Sequence, residues 1–296
     1  MSGPAGLLVF PDYREPGIRL AEAAGLTWAE VEVHRFPDGE SRVRLPTDLA
    51  PRLVVCRTLA DPNHKLVELM LAAATARELG VAELVLVAPY LCYMRQDTAF
   101  HPGEAVSQRI IGRCLADHFD ELVTVDPHLH RVHSLAEAMP VTRAVSLTAA
   151  GPMGEFIGHE VDNPVLVGPD EESAQWVAAM AEPHGLDCLV GTKQRLGDRE
   201  VRIHLPDFDF SSRHVVLVDD VASTGRTLLA AAEQIKAQNP ASLSAAVTHA
   251  LFVGNAVMRL HEAGVQHIWS TDSILHPTNA VHLAPLLAGH LNPAGA

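Results

Sequence analysis

The feature that most constrains this chain is an alternation. Short apolar runs, several of them ending in a polar cluster, are separated by stretches with helical spacing. The first half offers "LLVF", "VEVHRF", "RVRL", "LVVCRT", "LVLVAPY" and "LVTVDPH" as strands. The second half offers "PVLVGPD", "DCLVG", "VRIHLP", "HVVLVDD", "SAAVTHALF" and "HIWSTDS". Runs this apolar suit strands buried on both faces, and helices between them supply the crossovers of a parallel sheet. The segment "DPNHKLVELMLAAATARELG" reads as one such helix, with Asp61 or Asn63 as N-cap and Gly80 as its stop. "GEAVSQRIIGRCLADHF", with Ile110, Ile111, Leu115 and Phe119 on its buried face, and "GRTLLAAAEQIKAQ" read likewise. The fold class is therefore α/β, each domain a mainly parallel sheet flanked by helices. Ligands of such sheets bind beyond the carboxyl ends of the strands.

At 296 residues the chain has room for two domains of about 150 residues each. The stretch "PVTRAVSLTAAGP" interrupts the rhythm, so the boundary is placed near Val145, giving domains 1–145 and 146–296. A net charge of −14 argues against duplex nucleic acid or an anionic membrane as partner. No apolar stretch has the length of a membrane helix. Cys56, Cys92, Cys114 and Cys188 form no CxxC pair and no secretory leader is evident, which predicts reduced thiols in a cytoplasmic protein. Basic charge is carried almost wholly by arginine, the lysines being Lys65, Lys193 and Lys236.

Five segments carry candidate chemistry. In "HVVLVDDVASTGRTLL" the turn Ser223-Thr224-Gly225 before a helix would aim backbone N–H groups at a phosphate, while Asp219 and Asp220 could accept from sugar hydroxyls or hold a metal. An ordinary turn with Ser223 or Thr224 as N-cap reads equally well. It is neither a Walker loop nor GxGxxG. In "RFPDGESRVRL", Phe36 could stack on a purine with Asp38 and Glu40 accepting from its amine, and the same residues read as a hairpin turn. Arg95 and Gln96, in "YMRQDTAFHPGEAVSQR", offer donors for phosphate oxygens or form a solvated loop. "VDPHLHRVH" clusters His128, His130 and His133 at a strand end without zinc-site spacing, leaving His128 a metal ligand, a proton-transfer group or a surface histidine. In "GTKQRLGDREVRI", Lys193 and Arg195 read as loop cations, either free to meet a negative transition state or merely solvated.

In this order and spacing the five segments resemble the ribose-phosphate pyrophosphokinase family, the phosphoribosyl diphosphate (PRPP) synthases, over roughly residues 6 to 276. The likeness is nearest to the shorter, archaeal-like form, in which "RQD" precedes a "PGE" turn and a Lys-x-Arg segment precedes an "EVRI"-like strand. The resemblance implies two phosphoribosyltransferase-type domains, assembled as dimer-based homo-oligomers with an ATP site partly shared between subunits. It implies that Phe36, Asp38 and Glu40 meet the adenine, and that Arg95 and Gln96 contact ATP. His128 would lie near the phosphates and metal, and Asp170 in the metal and pyrophosphate loop. Lys193 and Arg195 would be catalytic, and Asp219, Asp220, Ser223, Thr224, Gly225 and Thr227 would bind ribose 5-phosphate. The implied reaction is Mg²⁺-dependent attack of the ribose 1-hydroxyl on the β-phosphorus of ATP, giving PRPP and AMP.

Three places depart from the family pattern. Glu171-Glu172-Ser173 follows Asp170 where a glycine-containing turn is usual, "TAF" follows "RQD" without a basic residue, and Arg226 replaces a small residue. Two other functions stay open on sequence: a phosphoribosyltransferase that consumes PRPP, and a non-catalytic regulatory paralogue of a synthase.

Overall fold

Both halves of the alternation become parallel sheets. The computed structural model describes residues 3–129, 131, 132, 134–195 and 201–292, the side chains of residues 194, 195, 201 and 202 lying outside that description. Chain contacts divide it into two units, Met1–Leu147 with Leu283–Ala296, and Thr148–His282.

The first unit runs β1 (Ala5–Val9), α1 (Arg14–Ala23), β2 (Trp28–Glu30), β3 (Glu32–Arg35), β4 (Ser41–Arg44), β5 (Leu49–Cys56), α2 (Pro62–Glu78), β6 (Glu83–Val87), α3 (Ser107–Ala116), β7 (Glu121–Val125), α4 (Leu135–Ala138) and β8 (Arg143–Leu147). Its main sheet has the order β2-β1-β5-β6-β7-β8, with each neighbouring pair parallel. β3 and β4 form a separate antiparallel hairpin. Leu8, Leu53, Val55, Leu84, Leu86 and Leu122 join Leu66, Leu69, Ala72 and Ala76 of α2 in one core. α1 lies so close on β1 that a side chain at Gly17 would meet Val9 Cγ1 at 2.5 Å. The helix over α3 forms as expected, but Ile110, expected inside, is 55% exposed, while Leu115 and Phe119 are buried.

The second unit runs α5 (Ala150–Glu160), β9 (Val165–Gly168), α6 (Ala174–Ala181), β10 (Asp187–Val190), β11 (Thr192–Arg195), β12 (Val201–His204), β13 (His214–Ala222), α7 (Arg226–Lys236), β14 (Ser242–Ala250), α8 (Ala256–Glu262), β15 (His267–Thr271) and β16 (Asn279–Val281). Its main sheet has the order β10-β9-β13-β14-β15-β16, again parallel throughout. Alternate side chains serve opposite faces. Val165, Val167, Val215, Leu217 and Val247 pack with α7 and α8, and Leu166, Val216, Val218 and Ala246 with α5 and α6. β11 and β12 pair antiparallel outside this sheet.

Each unit thus steps from its first strand to an outer second strand, makes a hairpin, and returns to the other side of the first strand. The reversal creates a switch point, between β1 and β5 in one unit and between β9 and β13 in the other.

Two expectations need correction. Residues 143–147, read as an interruption, are strand β8 at the sheet edge, paired with β7 from Glu121↔Arg143 to Val125↔Leu147. Three of its five residues are partly buried and two are exposed, too mixed for an apolar-run signal. The last helix, α9 (Ala284–Leu291), was placed in the second domain on sequence but belongs with the first unit, packed on α1.

Candidate active site

The second unit gathers its functional residues at its switch point. β9 pairs with β13 only from Val165↔Val215 to Val167↔Leu217. β13 runs on through Ala222 against β14. Asp219 and Asp220 therefore lie inside a strand, not after one, because β14 continues to supply partners, with Asp219↔Val247 and Val221↔His249. Each carboxylate accepts from the next backbone N–H: Asp220 N donates to Asp219 Oδ1 at 3.0 Å, and Val221 N to Asp220 Oδ1 at 2.7 Å. Burial, with repulsion from Asp220 and Asp170, holds the Asp219 carboxyl well above its usual range.

Beyond β13 the turn is fixed by backbone bonds, Phe252 N donating to Ala222 O at 2.8 Å and Val253 N to Ser223 O at 2.9 Å. Gly225, at φ +66°, is the residue before α7, and no side chain caps that helix. The reading of Ser223 or Thr224 as N-cap is thus overturned. The conformation needed there is left-handed, which glycine adopts without strain. An uncapped first turn leaves N–H groups for an anion. Ser223 and Thr227 are half-buried beside it and Thr224 is exposed.

The loop after β9 faces the same end of the sheet. A side chain at Gly168 would meet Ser173 Oγ at 2.4 Å, so the chain can close tightly into the next turn. Asp170 Oδ1 accepts from Glu172 N at 3.1 Å, and Ser173 Oγ donates to Asp170 O at 2.6 Å. Glu171 and Glu172 thereby form a short 3-10 turn and are exposed, whereas Asp170 is buried. The other oxygen, Asp170 Oδ2, accepts from Lys193 Nζ at 2.8 Å. Lys193 and Arg195, expected in a loop, belong to strand β11, where the pairs Lys193↔Ile203 and Arg195↔Val201 close a hairpin. The Arg195 side chain lies outside the described residues.

In the first unit the "FPDGE" segment is the tip of the β3–β4 hairpin. Phe36 N donates to Glu40 O at 2.8 Å, Gly39 N to Phe36 O at 3.0 Å, and Glu40 N to Asp38 Oδ1 at 3.2 Å. Phe36 is 41% exposed, its ring edge on His34. Arg95 is exposed on the loop after β6. Gln96 is tied to α3, its carbonyl accepting from Gln108 N at 3.2 Å and its side chain from Ser107 Oγ at 3.4 Å. His128 is half-buried beyond β7; His130 and His133 lie outside the described residues.

Sequence reasoning missed the links among these pieces. Asp97 is buried and accepts from Arg131 N at 3.0 Å and Arg131 Nη1 at 2.8 Å, joining the Arg95-Gln96 loop to the His128 segment. Burial pushes its carboxyl up, but the Arg131 hydrogen bonds and charge outweigh this and hold it below the usual range. An ion network of buried Arg57, Lys65 and Glu68 with exposed Asp12 was also missed. The scarcity of lysine pointed at Lys65 without giving its role.

Among the described residues no group of three or more His, Cys, Asp or Glu could hold a metal ion by itself. Asp170 and Asp219 nonetheless offer hard oxygen donors, and their repulsion is what a cation would relieve. That donor chemistry fits Mg²⁺, which binds through one or two carboxylates and fills its octahedron with water and phosphate oxygens.

Comparison with known proteins bears on the fold and the family. A family profile described as the N-terminal domain of ribose phosphate pyrophosphokinase matches residues 12–118, and one described as a phosphoribosyl transferase domain matches residues 153–277. Ribose-phosphate pyrophosphokinase of Methanopyrus kandleri is 38% identical over 275 residues, covering 92% of this chain and 93% of that protein. The protein of the same name from Methanosarcina acetivorans is 34% identical over 289 residues, 97% of each chain. The crystal structure of phosphoribosylpyrophosphate synthetase from Mycobacterium smegmatis superposes with a TM-score of 0.81 at 21% identity, covering 97% of this chain and 98% of that one.

Proposed function

Because the chain belongs to the ribose-phosphate pyrophosphokinase family, we propose that it transfers the β,γ-pyrophosphoryl group of ATP to the 1-hydroxyl of ribose 5-phosphate, giving PRPP and AMP. The observation that carries this reading is the second unit's switch point. There Lys193, Asp170 and Asp219 converge beside an uncapped helix end.

The first-turn N–H groups of α7, with Ser223, Thr224 and Thr227, bind the 5-phosphate. Asp219 and Asp220 accept hydrogen bonds from the ribose hydroxyls; the raised proton affinity of Asp219 makes it the stronger acceptor. Phe36 stacks on adenine while Asp38 and Glu40 accept from its amine, and Arg95 and Gln96 hold ATP oxygens. Asp170 in the second unit, and separately His128 in the first, would each serve as a ligand for Mg²⁺, which would supply charge neutralisation on the phosphates and polarise the transferred group. Lys193, which donates to Asp170 at 2.8 Å in this structure, and Arg195 meet charge that grows on the transferred group. Orienting the 1-hydroxyl in line with the β-phosphorus provides the remaining acceleration, without a covalent enzyme intermediate. The exposed Phe36 on a hairpin tip supports a dimer-based homo-oligomer in which this tip reaches a neighbouring subunit's site. Cysteines free of disulfides accord with a cytoplasmic setting. Among the described residues no helix is long and apolar enough to cross a membrane.

Purified protein given ATP, Mg²⁺ and ribose 5-phosphate is expected to form AMP and PRPP in equal amounts. Lys193→Ala is expected to lower kcat by about 10²–10³-fold with the fold intact. Absence of both products would reject the reading; formation of nucleotide from PRPP and a base would replace it with a phosphoribosyltransferase.

A further inference from the structure

The first unit's own switch point, between β1 and β5, holds charges that the proposed reaction does not use. Asp12 follows β1, Arg57 follows β5, and Lys65 and Glu68 come from α2. Arg57 is 2% exposed and Glu68 is fully buried. Arg57 Nε donates to Asp12 Oδ1 at 3.0 Å and Arg57 Nη2 to Glu68 Oε2 at 2.6 Å, while the guanidinium lies 4.1 Å from the centre of the Phe10 ring. Lys65 Nζ donates to Thr58 O at 3.0 Å and pairs with Asp12 Oδ2 at 2.8 Å. Where this topology usually admits a ligand, the protein neutralises itself.

Through Glu68 the network reaches the hairpin. Glu68 Oε1 accepts from Arg35 Nε at 3.2 Å and from Ser41 Oγ at 2.8 Å. Arg35 ends β3 and Ser41 begins β4, so these two residues bracket the tip that carries Phe36, Asp38 and Glu40. A two-stranded ribbon standing apart from the main sheet is only marginally stable alone. Both of its feet are held by one carboxylate, which Arg57 holds, and Asp12 holds Arg57 in turn.

We infer that Glu68 is a positioning residue for the nucleotide, fixing the β3–β4 tip through Arg35 and Ser41. This rests on the reading of that tip as the adenine contact. A loosened tip would lose nucleotide affinity and leave the sugar phosphate site, in the other unit, untouched.

The test compares Ser41→Ala, Glu68→Gln and Phe36→Ala in the full-length protein, measuring kcat, KM for ATP and KM for ribose 5-phosphate, with hydrogen exchange at the Gly39 and Glu40 amides. Ser41→Ala is expected to raise KM for ATP about 3–10-fold and Glu68→Gln more than about tenfold, since the first removes one hydrogen bond to the carboxylate and the second removes the charge that holds Arg57 and Arg35 as well. Both should speed exchange at the two amides and leave KM for ribose 5-phosphate within about twofold, a split that general destabilisation would not give. If Glu68→Gln fails to fold, Ser41→Ala decides alone. A raised KM for ATP in Phe36→Ala with no change in the other two would overturn the positioning role and leave the nucleotide reading standing. No change in Phe36→Ala would instead remove the adenine contact, and this inference with it.

Discussion

Asp219 is under electrostatic pressure. Half-buried and crowded by Asp220 and Asp170, its carboxyl binds a proton more tightly in the folded state than in the unfolded chain. The sign follows: stability falls as pH rises from the usual aspartate value through the higher one in the fold, and stays reduced at neutral pH. Asp219→Asn is therefore expected to raise the thermal midpoint of the second unit at pH 7 by about 2–4 °C, the shift given by roughly 1 kcal/mol in a domain of about 150 residues. The gain should vanish in acid, and ribose 5-phosphate turnover should fall. Added Mg²⁺ should raise the wild-type midpoint more than the variant's, since a cation that binds the folded state stabilises it. Scanning calorimetry across pH checks all of this, and an unchanged or lower midpoint at pH 7 would show that the pressure is already relieved. This much was partly legible: adjacent aspartates in an apolar run stand out, but the third carboxylate, Asp170, comes from a distant loop that only the sheet brings near.

At the scale of elements, the strand–turn–helix junction from β13 to α7 and the two hairpins carry the proposed chemistry. Gly225 at φ +66° ends the turn, and the nearest atoms to an added side chain would be Ala256 Cβ at 3.6 Å and Leu260 Cδ1 at 3.7 Å. Space is adequate, so the cost of Gly225→Ala is conformational, about 1–2 kcal/mol. The expected result is a lower thermal midpoint and a raised KM for ribose 5-phosphate with KM for ATP unchanged; steady-state kinetics with each substrate varied in turn decide it. Strand periodicity exposed β13 and its neighbours because central parallel strands are apolar throughout. It did not expose β11, whose Thr-Lys-Gln-Arg sequence is polar because the hairpin stands outside the main sheet. Nor could it show that Lys193 is held by Asp170, since that pair spans 23 residues and depends on the tight turn at Gly168.

At the scale of the molecule, the same topology occurs twice, although no repeat is visible in the sequence. One switch point is filled by the protein's own ion pairs, and the other crowds Asp170, Asp219 and Asp220 together. The first unit also reaches across the sequence to α9. Glu121, buried at the start of β7, accepts from His290 Nε2 at 2.8 Å and from Arg143 Nη2 at 2.6 Å. Burial pushes its carboxyl up, but these bonds outweigh that and hold it below the usual 4.5. The linked stability is present above that value and lost as pH falls through the lower one in the fold. His290→Ala is expected to cost about 1–3 kcal/mol in urea unfolding at pH 7, a difference that narrows in acid. An equal cost at every pH would mean that His290 contributes packing alone.

The return of α9 to α1 has a further consequence. A ribosome makes residues 1–147 first, yet the segment that completes their unit follows the whole of the second one. Until it emerges, the face of α1 that α9 will cover stays bare on the nascent chain, and the second unit can fold in the meantime. The first unit to be synthesised is the last to be finished.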